Sequence, residues 1–255
     1  MSPTVRIANM SKVYGNGTIA LENLNLRLYE DQITALLGHN GAGKTTTMSI
    51  LCGLYSPSSG TALVYGHDIR KEIDRVREVL GVCPQYNVLF QFLTVAEQLK
   101  LFAALKGTPD EKIQNVMSAS DSGGMKRRLC IGIAFVGGSR FVILDEPTAG
   151  VDVTSRREIW QLLQNNKKGR TILLSTHHMD EADILSDRIA LLSEGHLISL
   201  GSSIFLKNKY GDAFYVHACK KEPSLDYTST VTRIVTEAAI PIRLSDETDD
   251  ELVFS

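Results

Sequence analysis

The sequence predicts an α/β fold in which helices flank a mostly parallel sheet. Residues Phe141–Leu144 are all apolar, as expected of a parallel strand that is buried on both faces. The apolar run Ile33–Leu37 is also strand-like, and a helical pattern follows it at Thr46–Leu51. The run Thr171–Ser175 is followed in the same way by a short helical pattern at Asp180–Leu185. Strands that alternate with helices are typical of a parallel sheet.

Composition and charge exclude several classes of protein. The 255 residues are 43% hydrophobic and 22% charged, which indicates a globular chain with one large core and a small satellite. The net charge of -2 provides no broad basic surface, so we expect no nucleic-acid partner. No apolar run approaches the roughly 18 residues of a membrane-spanning helix, and no signal peptide is expected before the first strand.

The cysteines suggest a reducing compartment. Cys52, Cys83, Cys130 and Cys219 are far apart, lie in apolar surroundings and form no C-x-x-C pair. We therefore expect reduced residues that contribute to packing, as in a cytosolic protein.

A glycine-rich segment joins the first of these strands to its helix. It reads Gly38-His39-Asn40-Gly41-Ala42-Gly43-Lys44-Thr45-Thr46 and fits the pattern G-x-x-x-x-G-K-[ST]. The glycines allow a tight turn whose N–H groups point inward, Lys44 adds a positive charge, and the Thr45 hydroxyl can ligate Mg²⁺. The helix that begins near Gly43 adds its positive dipole end. This segment is therefore predicted to bind phosphate groups.

The elements around this loop are predicted from periodicity and turn residues. Val5–Tyr14 and Leu24–Leu37 contain strand-like runs separated by a turn at 15–17, which predicts an antiparallel β region with Tyr14 at a strand end. The further expected elements are a strand at Thr61–Tyr65, a helix at Ile73–Leu80, a strand at Val79–Pro84 that leads to Gln85, a helix at Thr94–Leu105 with a capping box of Thr94 and Glu97, a short helix at Glu111–Met117, and a helix at Met125–Phe135 opened by Ser122-Gly123-Gly124.

Two carboxylates, Asp145 and Glu146, follow the buried strand Phe141–Leu144. The carboxyl end of such a strand is where ligands bind in open α/β sheets. With a phosphate loop upstream, the pair predicts that Asp145 holds Mg²⁺ through water and that Glu146 polarises an attacking water. His177 follows the predicted strand Thr171–Ser175, although a histidine at a strand end is commonly structural.

The pattern changes near residue 213, which predicts a main domain over 1–212 and a small β-α-β-β appendage over 213–255. The remaining expected elements are a helix after Asp152 with Ser155 and Glu158 as a capping box, a hairpin of Arg188–Ser193 with His196–Leu200, a helix at Ser202–Lys209, a strand at Phe214–Cys219, a helix at Ser229–Ala239, and strands at Ile242–Leu244 and Leu252–Phe254 around the acidic turn Ser245–Glu251.

The motifs, in their order along residues 5–211, resemble the nucleotide-binding domain of an ABC transporter. Gly38–Thr45 matches the Walker A motif, Gln85 the Q-loop, Phe141–Asp145 the Walker B motif, and Ser122-Gly123-Gly124-Met125 the signature motif. Glu146 matches the catalytic glutamate, Asp152 the D-loop and His177 the switch histidine. The wording of these motifs, including Ser175-Thr176-His177-His178-Met179-Asp180-Glu181, looks most like subfamily A, whose members move lipids.

The resemblance implies a P-loop NTPase (RecA-like) fold and a set of roles. Catalysis would rest on Glu146, His177 and Lys44. The ATP-binding residues would be Tyr14, Gly38, His39, Asn40, Gly41, Ala42, Gly43, Lys44, Thr45, Thr46 and Gln85. Mg²⁺ would be held by Thr45, Gln85 and Asp145. The signature residues Ser122, Gly123, Gly124 and Met125 would contact ATP on a second such domain bound head to tail, with Asp152 at the dimer interface.

The resemblance also implies a place in the cell. The domain would work with the transmembrane domains of a transporter, on the cytoplasmic side of a membrane. Residues 213–255 would be the start of the regulatory domain that follows each nucleotide-binding domain in subfamily A.

Two features depart from the family pattern. Asp121 stands where a leucine normally precedes the signature serine, and the stretch Thr108–Asp121 is too short for the helices that usually complete the helical subdomain, here about 86–136. Two functions therefore stay open: an ATP-hydrolysing domain that powers lipid transport, and a nucleotide-binding domain with impaired hydrolysis that acts as an interaction module. A soluble ATPase of translation or DNA repair would need a tandem domain or a coiled-coil insertion, and the sequence contains neither.

Overall fold

The computed structural model describes residues 2–107, 125–211, 216–219, 244–247 and 251–254. The chain divides into two compact units, Met1–Ser203 and Ile204–Ser255. The predicted helices at Glu111–Met117 and Ser229–Ala239, the departure at Asp121 and the signature residues 122–124 lie outside the described residues.

Strands and helices alternate along the chain. The strands are β1 (Val5–Val13), β2 (Ile19–Leu28), β3 (Gln32–Leu37), β4 (Ser59–Val64), β5 (His67–Asp68), β6 (Leu80–Cys83), β7 (Phe141–Asp145), β8 (Thr171–Thr176), β9 (Arg188–Ser193), β10 (His196–Gly201), β11 (Val216–Cys219), β12 (Leu244–Glu247) and β13 (Glu251–Phe254). The helices are α1 (Lys44–Leu51), α2 (Ile73–Val79), α3 (Val95–Leu105), α4 (Met125–Phe135), α5 (Val153–Asn165), α6 (Met179–Leu185) and α7 (Ser203–Tyr210), with one 3-10 turn at Val136–Gly138.

The predicted parallel sheet is confirmed. Its strand order is β10-β9-β3-β8-β7-β6. The pairs β9-β3, β3-β8, β8-β7 and β7-β6 are parallel, whereas β10 pairs with β9 as an antiparallel hairpin. Every residue of β8 is buried, as the apolar run predicts. The carboxyl ends of β3, β6, β7 and β8 meet at one edge of the sheet, so the segments that follow these strands come together there.

The predicted antiparallel β region is a separate four-stranded sheet of order β2-β1-β4-β5. The turn at 15–17 is confirmed, since the Tyr14 N–H donates to the Thr18 carbonyl at 2.9 Å and Gly17 has φ 83°. Strand β2 begins at Ile19, five residues earlier than predicted, because Ile19–Asn23 continues to pair with β1. One core cluster contains Leu26 of β2, Leu36 of β3 and Met48 of α1. The antiparallel sheet therefore packs against α1 and the parallel sheet.

Helices α3 and α4 form a small cluster of their own. Leu99 and Ala103 of α3 pack with Leu129 of α4 and with Val136. The predicted capping box is confirmed: the Glu97 N–H donates to the Thr94 side chain, and the Thr94 N–H donates to the Glu97 carboxylate at 2.8 Å. Helix α4 has the predicted bounds.

Two local predictions were wrong. The expected Ser155 and Glu158 capping box is absent from α5, where Asp152 is the N-cap and accepts from the Ser155 N–H at 3.0 Å. Asp152 is the capping side chain that directly follows the 146–151 turn. The helix therefore starts at Val153, three residues earlier than a Ser155 N-cap would give. The predicted acidic turn at 245–251 is also too long, since Leu244–Glu247 forms β12 and Glu251 begins β13.

The second unit contains α7 from Ile204 onward and a three-stranded antiparallel sheet of order β11-β13-β12. Cross-strand pairing fixes the register of its alternating apolar residues, for example Val216 with Phe254 and Ala218 with Leu252. No helix in the described part of the chain is both long enough and apolar enough to cross a bilayer.

Two cysteines, the half-buried Cys52 and the buried Cys83, provide a first testable prediction. Burial, followed by the nearby Asp145 charge in the case of Cys52, raises the pKa of Cys52 and of Cys83 to about 12. Compared with the usual value of 9.0, the thiolate fraction at pH 8 then falls about a thousandfold. We expect iodoacetamide to label both residues slowly in the folded chain, measured by peptide mass spectrometry. The same chain in guanidinium chloride is the control, and equal labelling rates in the two samples would contradict the prediction.

Candidate active site

The loop between β3 and α1 places glycine where other residues would clash. A Cβ on Gly43 would lie 2.7 Å from the Ala20 carbonyl oxygen and from Leu21, and Gly43 has φ 101°. A Cβ on Gly38 would lie 2.4 Å from the Leu192 carbonyl oxygen in β9. The loop is therefore held between the two sheets, and its tight path requires glycine at both ends.

Lys44 folds back over this loop. Its ammonium donates to the Gly38 carbonyl at 2.6 Å and to the His39 carbonyl at 3.0 Å, and the residue is 6% exposed. Burial lowers the pKa of Lys44, while the negative charges of Glu146 and Asp145 act in the opposite direction. The site thus holds a partly desolvated cation beside the loop, at a point where an anion would be favoured.

The first turn of α1 offers free donors to the same point. Its N-cap, Gly43, makes no side-chain capping bond, and the first turn contains no acidic residue. The first N–H groups of a helix have no partner within the helix, so those of α1 remain available. Thr47 stabilises this turn, since its N–H and its hydroxyl both donate to the Gly43 carbonyl at 2.9 Å. Glycine loop, cation and open helix terminus together fit a polyphosphate.

Tyr14 lies just beyond the end of β1, at the edge of this loop. Its hydroxyl is 3.1 Å from the Thr46 hydroxyl, and its ring meets Tyr55 edge to face with the centroids 6.0 Å apart. The Lys12 ammonium is 5.5 Å from the Tyr14 ring centroid. The ring is therefore beside the phosphate loop, and its stacking on a nucleotide base stays a prediction.

A groove of about 350 Å³ connects the loop to the carboxylate edge of the sheet. It is lined by Ala20, Asn40, Gly41, Gly43, Lys44, Thr45, Thr46, Gln85 and Glu146. Most of the predicted ATP-binding residues thus share one cleft with Gln85 and Glu146, which are far away in sequence.

Glu146 is held between two other predicted site residues. The Gln85 side-chain amide donates to Glu146 Oε2 at 3.2 Å, and His177 Nδ1 lies 3.0 Å from Glu146 Oε1. The Glu146 side chain is only 13% exposed, and its backbone has φ 45°, a left-handed conformation that is unusual for a glutamate. His178 stacks on His177 with ring centroids 4.0 Å apart. The structure therefore brings together Gln85, Glu146 and His177 from three strand ends.

Sequence reasoning missed Ser175, which links the Asp145 carboxylate to the backbone N–H of Glu146. Its hydroxyl donates to Asp145 Oδ1 at 2.5 Å and accepts from the Glu146 N–H at 2.9 Å. A serine near the end of one buried strand is a usable signal when Asp-Glu stands at the end of a neighbouring strand, as β7 and β8 are here. Asp145 keeps its second carboxylate oxygen for other partners.

Arg127 was missed altogether. The sequence shows it inside the basic run Lys126-Arg127-Arg128, which is typical of a solvated helix face. In the structure Arg127 is 5% exposed and donates to the backbone carbonyls of Pro84, Asp145 and Pro147. The sequence contains no local signal for this, because its partners belong to distant loops.

Not every predicted site residue joins the groove. Asp152 caps α5 and does not line the groove. The buried Glu181 of α6 accepts from the Thr148 hydroxyl at 2.7 Å and from the Trp160 indole N–H, so it links the turn before α5 to α6. The signature residues Ser122, Gly123 and Gly124 are outside the described residues, and Met125 is described only as the first residue of α4.

The predicted magnesium ligands are compatible with the cation by their chemistry. Thr45 is exposed on the first turn of α1, Gln85 faces the same groove, and Asp145 lies at the carboxyl end of β7. A hydroxyl, an amide oxygen and a carboxylate are hard oxygen ligands, which Mg²⁺ prefers, usually while it keeps several waters.

The fold and the groove define a P-loop nucleotide-binding domain. A family model described as ABC transporter matches residues 21–149, about half of the chain. The chain therefore belongs to the ABC transporter family, whose ABC domains are ATP hydrolases. This confirms the resemblance inferred from the motifs.

Similar proteins extend the match beyond that segment. The chain is 53% identical to rat (Rattus norvegicus) ATP-binding cassette sub-family A member 2 over 234 residues, which cover 85% of this chain and 10% of the relative. It is 51% identical to the mouse (Mus musculus) retinal-specific phospholipid-transporting ATPase ABCA4 over 236 residues, which cover 86% of this chain and 10% of that relative. The chain thus spans about a tenth of the length of these curated relatives.

A solved structure agrees with the fold. The structure of cbiO1 from Clostridium perfringens, part of the ABC transporter complex cbiONQ, superimposes with a TM-score of 0.74 at 28% identity, over 94% of this chain and all of that chain.

Proposed function

We propose that this chain is the ATP-binding and hydrolysing domain that powers lipid transport by a subfamily A ABC transporter. The observation that carries the proposal is the single groove in which the glycine loop and Lys44 face Glu146, itself held by Gln85 and His177. Its substrate class, lipid, rests on the sequence similarity to relatives named as phospholipid-transporting ATPases.

The groove and the family resemblance together support a division of roles. Tyr14 stacks on the adenine. Lys44 and the backbone donors of the loop hold the phosphate groups, assisted by Gly38, His39, Asn40, Gly41, Ala42, Gly43, Thr45 and Thr46. Thr45, Gln85 and Asp145 would hold Mg²⁺, which would neutralise charge on the phosphates.

Hydrolysis requires a water aligned with the γ-phosphate. The Glu146 carboxylate orients this water and takes its proton while the water oxygen attacks the γ-phosphorus. The bond between the γ-phosphorus and the bridging oxygen breaks, and ADP leaves with the electron pair. His177 is next to Glu146 and contacts the γ-phosphate. Lys44 stabilises the negative charge on the transferred group.

The proposal includes partners and a layout. Residues 1–212 form the ATP-binding domain, with a shortened helical subdomain at about 86–136, and 213–255 start a regulatory-like domain. Two such domains close head to tail, so that Ser122, Gly123, Gly124 and Met125 face ATP on the partner and Asp152 lies at the interface. Transmembrane domains of the transporter complete the assembly, with this chain on the cytoplasmic side of the membrane.

A concentration series tests this function. If two chains are needed for each closed site, phosphate release per chain in Mg-ATP should rise with chain concentration until dimerisation saturates. Calorimetry on the same samples reports ATP binding. Tight binding with no phosphate release at any concentration would instead support the alternative, a hydrolysis-impaired interaction module, which the charged Asp121 at the signature motif favours.

A further inference from the structure

A buried arginine of α4 reaches both catalytic loops. Arg127 is 5% exposed and lies two residues after Met125, the last residue of the predicted signature motif. Its side chain donates to main-chain carbonyls on two strand ends that are about 60 residues apart in the chain, and to one side chain. The acceptors are the carbonyls of Pro84 (2.6 Å), Gln85 (3.1 Å), Asp145 (2.8 Å), Glu146 (3.0 Å) and Pro147 (2.8 Å) and the Asn87 amide oxygen (3.4 Å).

This arrangement uses the whole guanidinium group. The Nη1 atom serves the loop after β6, the Nη2 atom serves the end of β7 and the residue after it, and the Nε atom serves Pro147. A planar group with donors in a fixed fork can satisfy both loops at once, whereas a lysine ammonium with three donors cannot. A buried cation without such acceptors would be unfavourable, so the loops must be in these positions for Arg127 to be accommodated.

The same two loops carry the residues around the attacking water. Gln85 and Glu146 already touch through their side chains, at 3.2 Å between Nε2 and Oε2. Arg127 joins the same two residues a second time, because its Nη1 atom donates to the Gln85 carbonyl and its Nη2 atom donates to the Glu146 carbonyl. Without Arg127 the only direct bond left between these two residues would be the side-chain contact, beyond the point where the β6–β7 pairing ends at Cys83 and Leu144.

The neighbouring arginine has a different task. The Arg128 guanidinium pairs with Glu158 of α5 at 2.6 Å. Arg127 thus connects α4 to the catalytic loops, whereas Arg128 connects α4 to α5.

We infer that Arg127 is a positioning residue that makes the locations of Gln85 and Glu146 depend on helix α4. Arg127 is not among the residues that line the groove, and it acts on the reaction through the backbone of the two loops. Because α4 directly follows the signature motif, any shift of this helix is transmitted to the general base. This inference rests on the proposed function only for its consequence in catalysis, since the link between α4 and the loops is a property of the fold.

The test compares three variants of the full 255-residue chain. Arg127→Met removes the donors, Arg127→Lys keeps the charge without the fork, and Lys126→Met removes a charge from an exposed neighbour on the same helix. Hydrogen–deuterium exchange is followed in peptides that contain 84–87 and 145–149. We expect exchange in both segments to accelerate about tenfold or more in Arg127→Met, by less in Arg127→Lys, and not at all in Lys126→Met.

Kinetics provide the second readout. We expect kcat for ATP hydrolysis to fall about tenfold or more in both Arg127 variants, while KM changes less than twofold, because Arg127 does not contact the phosphate loop. Unchanged exchange in both segments of a folded Arg127→Lys chain, or acceleration in only one of them, would overturn the inference. A parent chain that binds ATP without hydrolysing it would count against the proposed function instead, and the exchange data would still decide the role of Arg127.

Discussion

Replacing Lys44 by alanine should weaken ATP binding about a hundredfold, or about 3 kcal/mol. The change removes a cation that is buried beside the loop and donates to the Gly38 and His39 carbonyls. When ATP binds, the ammonium can exchange these carbonyls for phosphate oxygens. Charge-assisted bonds to phosphate are each worth about 1.5 to 3 kcal/mol, and alanine can form none of them. Isothermal titration calorimetry with Mg-ATP measures the effect directly.

Lys168→Ala is the matched control for this experiment. Lys168 is an exposed lysine after α5 and lies outside the groove, so its removal changes the net charge equally without touching the loop. We expect its Kd to be that of the parent chain. Equal affinities for Lys44→Ala and Lys168→Ala would remove the glycine loop from the proposed site.

Replacing Glu146 by glutamine should lower kcat about 10²-fold to 10⁴-fold while ATP remains bound. The amide keeps the shape of the side chain, but it cannot accept a proton from water as a carboxylate does. It can still contact Gln85 and His177, which hold Glu146 in the parent chain. The measurements are phosphate release under saturating Mg-ATP and the Kd for ATP.

Glu78→Gln is the control, because Glu78 is an exposed carboxylate on α2 whose partner is Arg75. If turnover and affinity fell together in Glu146→Gln, Glu146 would serve the fold or the metal rather than the chemistry.

The same variant should accumulate as an ATP-bound dimer in light scattering, provided that Asp121 does not prevent closure. A tight dimer would show that the charge at this position is harmless.

Prediction from sequence worked best where the signal is local. The glycine loop is a contiguous pattern between an apolar strand and a helix, and its strand, turn and helix occur as predicted. The carboxylates after β7 were predictable because a fully apolar run fixes a buried parallel strand, and the ends of such strands meet at one edge. His177 and Gln85 could be assigned only through the family resemblance, since neither has a distinctive local pattern.

Prediction failed where distant segments decide the outcome. Both Asp152 and Ser155 are good N-cap residues, and only the path of the 146–151 turn selects Asp152. Arg127 is one of three adjacent basic residues on α4, and its burial depends on carbonyls from the loop after β6 and from the end of β7. Strand β12 has an acidic sequence, Leu244–Glu247, that disfavours a strand by propensity but is paired with β13.

The bonds that Lys44 and Glu146 make within the protein also bear on how strongly nucleotide can bind. In this conformation the Lys44 ammonium is satisfied by the Gly38 and His39 carbonyls, and both Glu146 oxygens are engaged by neighbours. Arrival of ATP is therefore an exchange of partners, and its free energy is the difference between two sets of bonds. Substitutions that weaken the old set, without touching the phosphates, should tighten ATP binding. The affinity of this domain is thus adjustable from inside the protein.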